Sequence, residues 1–113
     1  MKRDDLYIEH IHQSIEKIEL YLGDKEFEHI KQDEMLTDAL ARQLGIIGEA
    51  ANQLSEAFRS EHPELPYVEM IGMRNFLVHE YANVDRKTVW DTCKEDLPQL
   101  KRDIEAILQK RGK

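Results

Sequence analysis

The chain has 113 residues, of which 41% are hydrophobic and 35% charged, and this predicts one soluble, globular domain over residues 1–113. Five glycines and three prolines are too few for a β protein of this size, and the single cysteine, Cys93, excludes an internal disulfide and a cysteine-based zinc site. No apolar run approaches the roughly 20 residues of a membrane span and no signal-peptide core follows Met1, so we expect a cytoplasmic protein without membrane partner or cofactor.

The charge is distributed unevenly along the chain. The formal net charge is −7, but residues 1–65 carry 7 Lys or Arg against 15 Asp or Glu, whereas residues 66–113 carry 9 against 8. A polyanion therefore meets little repulsion from the second half. This distribution permits RNA binding without indicating it.

The first helix is predicted from Asp4 to Leu22, with Asp4 or Asp5 as its cap and Gly23 as its end. Its apolar residues recur at three and four positions and form one face: Ile8, Ile11, Ile15, Ile18 and Leu22. Residues 24–34 are mostly charged, so we expect a connection there with one or two helical turns.

A second helix is predicted from Glu34 to Phe58, with Asp33 as its N-cap. Gly45 lies opposite its apolar stripe, although glycine weakens a helix interior by about 1 kcal/mol against alanine. Either another backbone approaches closely there, which gives this face a partner helix, or Gly45 and Gly48 are tolerated defects.

Two prolines within His62–Pro66 interrupt the helical pattern, and a third helix is predicted from Tyr67 to about His79. Asp85 is the predicted N-cap of a last helical stretch, Arg86 to about Lys110, which Pro98 kinks or breaks. The predicted fold is therefore all-α, an up-and-down bundle of four long helices.

The third helix carries an arginine in its apolar arc, which consists of Met70, Met73, Leu77 and Val78. Arg74 falls between Leu77 and Val78 on a helical wheel. A charge in such a place needs a partner. Arg74 is therefore expected to pair with an acidic residue of the second helix, to extend to the surface, or to bind a ligand.

Arg74, Asn75, His79 and Tyr81 are the residue types of metal-free phosphodiester chemistry. A guanidinium matches two phosphoryl oxygens and an imidazole transfers protons near neutral pH, while an amide orients groups and a tyrosine stacks on a base. Arg74 and His79 are about 140° apart on an ideal helix, so one helix alone gives a poorly convergent site. Either the helix unwinds near His79, or two copies pair, and we favour pairing.

The residues just described resemble the HEPN superfamily and, within it, the HepT-like toxins. The family motif R-x4-H-x-Y is matched by Arg74, His79 and Tyr81, and its polar residue after the arginine by Asn75. Flanking segments resemble the family as well: Ile46–Ala50, Ile71–Met73, Val89–Trp90 and Asp96–Pro98.

This resemblance implies a metal-independent endoribonuclease that cleaves tRNA or mRNA, is the toxin of a type VII-like toxin–antitoxin pair, and acts as a symmetric homodimer. It implies catalytic roles for Arg74 and His79 and supporting roles for Asn75 and Tyr81. It also implies that an MntA-like nucleotidyltransferase antitoxin silences the toxin by transferring AMP to Tyr81, within a larger assembly. Two alternatives remain open: a non-catalytic helical binding module, and an antitoxin that restrains a toxic transferase.

The remaining reactive residues are interpreted as structural. His10 and His12 are two apart on a helix and cannot bind one metal jointly, so no metal site is expected. Cys93 is predicted to be a buried thiol, and the methionines Met35, Met70 and Met73 to fill the core.

Overall fold

The fold is built from helices in the computed structural model, which describes residues 2–79 and 85–112. Met1, residues 80–84 and Lys113 lie outside the described residues, and the predicted site at Tyr81 lies among them. In chain order the elements are α1 (Lys2–Leu22), α2 (Phe27–Lys31), α3 (Glu34–Gln53), α4 (Glu56–Glu61), α5 (Tyr67–His79), α6 (Arg86–Asp91), a π-helical turn (Thr92–Asp96) and α7 (Leu97–Arg111). No strand occurs among these residues, which confirms the all-α prediction.

The third of these helices, α3, is the centre of the fold and makes its most extensive contacts with α5 and α1. The five apolar residues that define the predicted face of α1 are all buried, as are Leu40, Leu44 and Ile47 of α3. On the far side, α7 closes the core with Leu97, Leu100, Ile104 and Ile107. Burial of these stripes is the main driving force for the bundle.

The ends of the helices follow local capping chemistry. The Asp33 carboxylate accepts a hydrogen bond from the Leu36 N–H at 2.9 Å, and the Asp85 carboxylate accepts one from the Lys87 N–H at 3.1 Å. Gly23 ends α1 with a φ of +48°, a conformation that glycine adopts without strain. These predicted boundaries are confirmed.

The predicted second helix, Glu34 to Phe58, is confirmed as far as Gln53 and is wrong at its C-terminal end, because α3 ends at Gln53 and α4 begins at Glu56. The Ser55 hydroxyl caps α4 by accepting from the Phe58 N–H at 3.0 Å. The buried Asp4 carboxylate accepts from both the Ser55 N–H (2.9 Å) and the Ser55 hydroxyl (2.7 Å). Asp4 therefore lies inside α1 and fixes the α3–α4 junction, and it does not cap α1 as predicted.

The last helical stretch is interrupted as predicted. Pro98 has no N–H for the Lys94 carbonyl, and the chain passes through the π-helical turn, in which the Leu97 N–H donates to the Thr92 carbonyl. α7 then begins with Pro98 in its first turn, where the missing N–H costs nothing.

Met35, which was predicted to fill the core, is exposed, and so is Val78 of the apolar arc of the third helix. Met35 is 83% exposed because its side chain points about 100° around the α3 axis from that of Leu36, which is buried with Leu40 and Leu44. Val78, at 51% exposure, lines the cleft described below. Within the described residues, no helix is both long and apolar enough to cross a membrane.

Candidate functional site

A cleft of about 820 Å³ lies over the side of α3 that faces away from the core. Its walls come from α1, with Tyr7 and His10, and from the C-terminal half of α5, with Arg74 and Leu77. α3 supplies the floor, including Gly45. The cleft therefore brings the candidate arginine together with residues from two other helices.

Arg74 forms the ion pair that was one of its predicted alternatives. Its Nη2 pairs with the Glu49 Oε2 of α3, and its Nη1 donates a hydrogen bond to the Asn75 Oδ1 at 3.0 Å. The side chain of Arg74 is 34% exposed, so the guanidinium lies at the cleft surface and not in the core. Since a guanidinium has five N–H donors, donors remain for a phosphate after these two contacts.

Gly48 explains how α5 comes so near to α3 at this point. A Cβ at Gly48 would lie 2.3 Å from the Arg74 Cβ and 2.6 Å from the Met70 carbonyl oxygen, so no larger residue fits without a shift. A Cβ at Gly45 would meet nothing within 4 Å. Within the described chain, the close approach of another helix is thus found at Gly48 and not at Gly45. Gly45 lines the cleft, and no atom of the described chain packs against it.

Of the other motif residues that the structure describes, Asn75 lies against Arg74 but His79 does not join Arg74 in the cleft. Asn75 contacts Arg74, and both it and His79 are exposed. His79 is the last residue of α5 and does not line the cleft. Tyr81 lies outside the described residues, so its predicted role stays a prediction.

The charges in the cleft are balanced. Arg42 and Arg74 line it together with Asp38 and Glu49, so the described lining has no excess of positive charge.

The roles of Gly48 and Glu49 were not predicted from the sequence. The available signal was the Gly–Glu pair on α3, opposite an arginine in need of a counter-charge.

Other reactive groups have structural surroundings. Burial raises the pKa of the Cys93 thiol to about 12, which makes it a poor nucleophile and confirms the predicted buried thiol. His12 contacts Glu105 at 2.9 Å while His10 lines the cleft, so the two lie apart. Among the residues that the structure describes, no three His, Cys, Asp or Glu side chains are grouped so as to hold a metal ion.

Comparison with known proteins points to one family. The family described as Ribonuclease HepT-like matches residues 11–107. A "Putative RNase" of Caldanaerobacter subterraneus subsp. tengcongensis is 39% identical over 97% of this chain and 98% of its own. A "Probable ribonuclease HepT" of Thermococcus cleftensis is 41% identical over 89% of this chain and 92% of the relative. A "Putative RNase" of Methanocaldococcus jannaschii is 33% identical over 94% of this chain and 98% of the relative. No solved structure matches the chain.

Proposed function

The chain belongs to the Ribonuclease HepT-like family, and we propose that it is a metal-independent endoribonuclease and the toxin of a toxin–antitoxin pair, active as a homodimer on tRNA or mRNA. The observation that carries this proposal is the Arg74 guanidinium at the cleft surface, oriented by Glu49 and Asn75 and followed five residues later by the exposed His79.

In the proposed reaction His79 accepts the proton of a ribose 2′-hydroxyl. The 2′-oxygen bonds to the adjacent phosphorus, the bond from phosphorus to the 5′-oxygen breaks, and that oxygen takes a proton from solvent water as it leaves, while His79 later returns its proton to solvent. Arg74 stabilises the additional negative charge on the five-coordinate phosphorus. The products are a 2′,3′-cyclic phosphate and a 5′-hydroxyl, and no step requires a metal ion.

The test is RNA cleavage by purified protein in excess EDTA. We expect His79→Ala to lower the cleavage rate by about 100-fold or more, because general acid–base catalysis contributes that much. His29→Ala is the matched control, since His29 is exposed and lies on α2. Equal rates for wild type and His79→Ala would contradict the proposal.

We also propose that an MntA-like nucleotidyltransferase antitoxin silences this toxin by transferring AMP to Tyr81. In this proposal the phosphate charge of the added AMP competes with RNA for the Arg74 guanidinium. Intact-mass measurement after reaction with ATP and the transferase should show one added AMP on wild type and on the control Tyr21→Phe. The same mass increase on Tyr81→Phe would rule out this site.

The Arg74–Glu49 ion pair and the balanced cleft charge favour one second candidate, a non-catalytic partner or antitoxin of a nucleotidyltransferase. Expression of each chain alone separates the candidates. Growth arrest by this chain, relieved by the transferase, supports the toxin. Arrest by the transferase, relieved by this chain, supports the second candidate.

A further inference from the structure

A groove of about 620 Å³ lies on the other side of α5 from the cleft. In the described chain α5 contacts α3 extensively but has no comparable contact with α6 or α7, so a space remains between these helices. Leu44 and Ile47 of α3 and Leu97 and Leu100 of α7 form the floor of this α5–α7 groove. All four are buried, so the floor is continuous with the apolar core.

Each wall of the α5–α7 groove is one stripe along a helix. The stripe on α5 has residues spaced three and four apart: Glu69, Gly72, Met73 and Phe76. These residues extend over about 10 Å of the helix axis, which is two turns. The opposite wall includes Thr88 of α6 and Glu95 and Asp96 of the π-helical turn. The groove is therefore long enough to receive two turns of a further helix.

The rim of the α5–α7 groove carries negative charge. Glu69 on one wall and Glu95 and Asp96 on the other are exposed, and none of the three has an ion-pair partner among the described residues. No Lys, Arg or His of the described chain lines the groove. An apolar floor between carboxylates without counter-charge is complementary to a ligand that is apolar along its centre and positive at its edges.

We propose that the α5–α7 groove binds a basic amphipathic helix of a partner protein. Apolar side chains of that helix, three and four residues apart, lie on the floor and against the half-buried Phe76. Its Lys or Arg residues pair with Glu69 on one wall and Glu95 on the other. A helix suits this space because the groove follows two turns of α5, which lacks an extensive helical contact on this side in the described chain.

A helix bound in this groove leaves the cleft open. Met73 lines the groove and Arg74, the next residue, lines the cleft, so the two ligands contact α5 from different sides. The inference therefore does not depend on RNA cleavage, and its failure would leave the proposed function as it stands.

Fluorescence anisotropy of a labelled synthetic peptide tests the groove. The probe is a fluorescein-labelled peptide of about 18 leucines and lysines, with its leucines three and four residues apart, which is long enough to form a helix on binding. We expect saturable binding of one peptide per chain. A peptide of the same composition in scrambled order has no apolar stripe, and its Kd should be at least about tenfold higher.

Charge reversal on the rim locates the bound peptide. Glu69→Lys and Glu95→Lys should each raise the Kd about tenfold, because each sets like charges against each other. Asp38→Lys is the matched control, since Asp38 is equally exposed but lines the cleft. Its distance from the groove should keep the change in Kd below about twofold, because salt screens separated charges.

Gly72→Trp gives a second test that does not depend on charge. A Cβ at Gly72 meets nothing within 4 Å, so the fold accepts a side chain there and thermal unfolding should stay cooperative. The indole fills part of the groove and should raise the Kd by about tenfold or more. Ala57→Trp, at an exposed position of α4, is the control and should bind the peptide like wild type.

Several results would overturn the proposal. They are absence of binding by the probe, equal binding of the scrambled peptide, and an Asp38→Lys variant that binds as weakly as Glu69→Lys. A change of oligomeric state in Gly72→Trp alone, seen by sedimentation, would assign the groove to a second copy of the chain and so contradict a partner helix.

Discussion

At Gly48 the backbone of α3 and the side chain of Arg74 share a space that has no room for a Cβ. The contact lets α5 lie against α3 so closely that Glu49, the next residue, reaches the guanidinium. An arginine in an apolar arc is thus accommodated by one missing methyl group and one carboxylate. The missing methyl group at Gly48 lets the two helices approach each other, and the Glu49 carboxylate offsets the free-energy cost of the partly buried Arg74 charge.

Gly48→Ala should lower the free energy of unfolding by about 1–3 kcal/mol, because the new methyl group forces α3 and α5 apart. Urea denaturation measures the change. Gly72→Ala is the matched control on α5, where a Cβ meets nothing within 4 Å, and there the helix should gain up to about 1 kcal/mol. Equal effects at the two positions would refute the close-contact account.

Among the elements, the junction between α3 and α4 depends on a contact that is distant in sequence. Asp4 of α1 accepts two hydrogen bonds from Ser55, and Ser55 in turn caps α4. Burial alone would raise the pKa of Asp4, but the hydrogen bonds from Ser55 and the charge of Arg111 outweigh burial and lower it. The folded state therefore favours the ionised form of this carboxyl.

Asp4→Asn should cost about 1.5–3 kcal/mol of unfolding free energy at neutral pH, since hydrogen bonds to a charged group are lost. Because the folded pKa of Asp4 lies below its ordinary 3.8, the unfolded chain takes up the proton first as pH falls. The stabilisation is complete well above pH 4 and disappears below it. Denaturation of wild type and Asp4→Asn at several pH values tests this.

Exposed Asp24, which lies just after α1, provides the control for that series. Asp24→Asn should change the unfolding free energy by less than about 0.5 kcal/mol. An Asp4→Asn curve that runs parallel to wild type down to pH 2 would show that the carboxylate charge does not contribute.

The helices were predictable where apolar spacing, caps and prolines agree, as at Asp33, Gly23, Asp85 and Pro98. The break after Gln53 was not, because Leu54 and Phe58 keep helical spacing whether or not the helix continues. Only the contact between Asp4 and Ser55 decides it, and the sequence does not reveal that pairing.

The candidate site was predictable to a similar extent. The motif residues and the need of Arg74 for a counter-charge followed from the sequence, and Glu49 is that counter-charge. Which acid pairs with Arg74 depends on the register of α5 against α3, which Gly48 sets. The angle between Arg74 and His79 was also foreseen, and His79 indeed lies off the cleft.

At the scale of the whole molecule, the net negative charge limits how strongly the protein can attract an RNA strand. The net charge is −7, and the described cleft has two arginines against two carboxylates. Long-range attraction of a polyanion is therefore weak, and in the proposed function RNA binding depends on short-range contacts at Arg74. A reaction that uses the substrate's own 2′-hydroxyl suits such a site, because it needs no bound cation.

The most direct measurement compares two oligonucleotides in excess EDTA, one of RNA and one with a 2′-deoxyribose at the cleaved position. We predict that the protein cleaves the RNA, leaving a 2′,3′-cyclic phosphate, and that the substituted strand stays intact. Intact mass, recorded on the same sample, identifies any protein silenced by AMP. Loss of cleavage in EDTA by unmodified protein, or equal cleavage of both strands, would contradict the metal-independent mechanism.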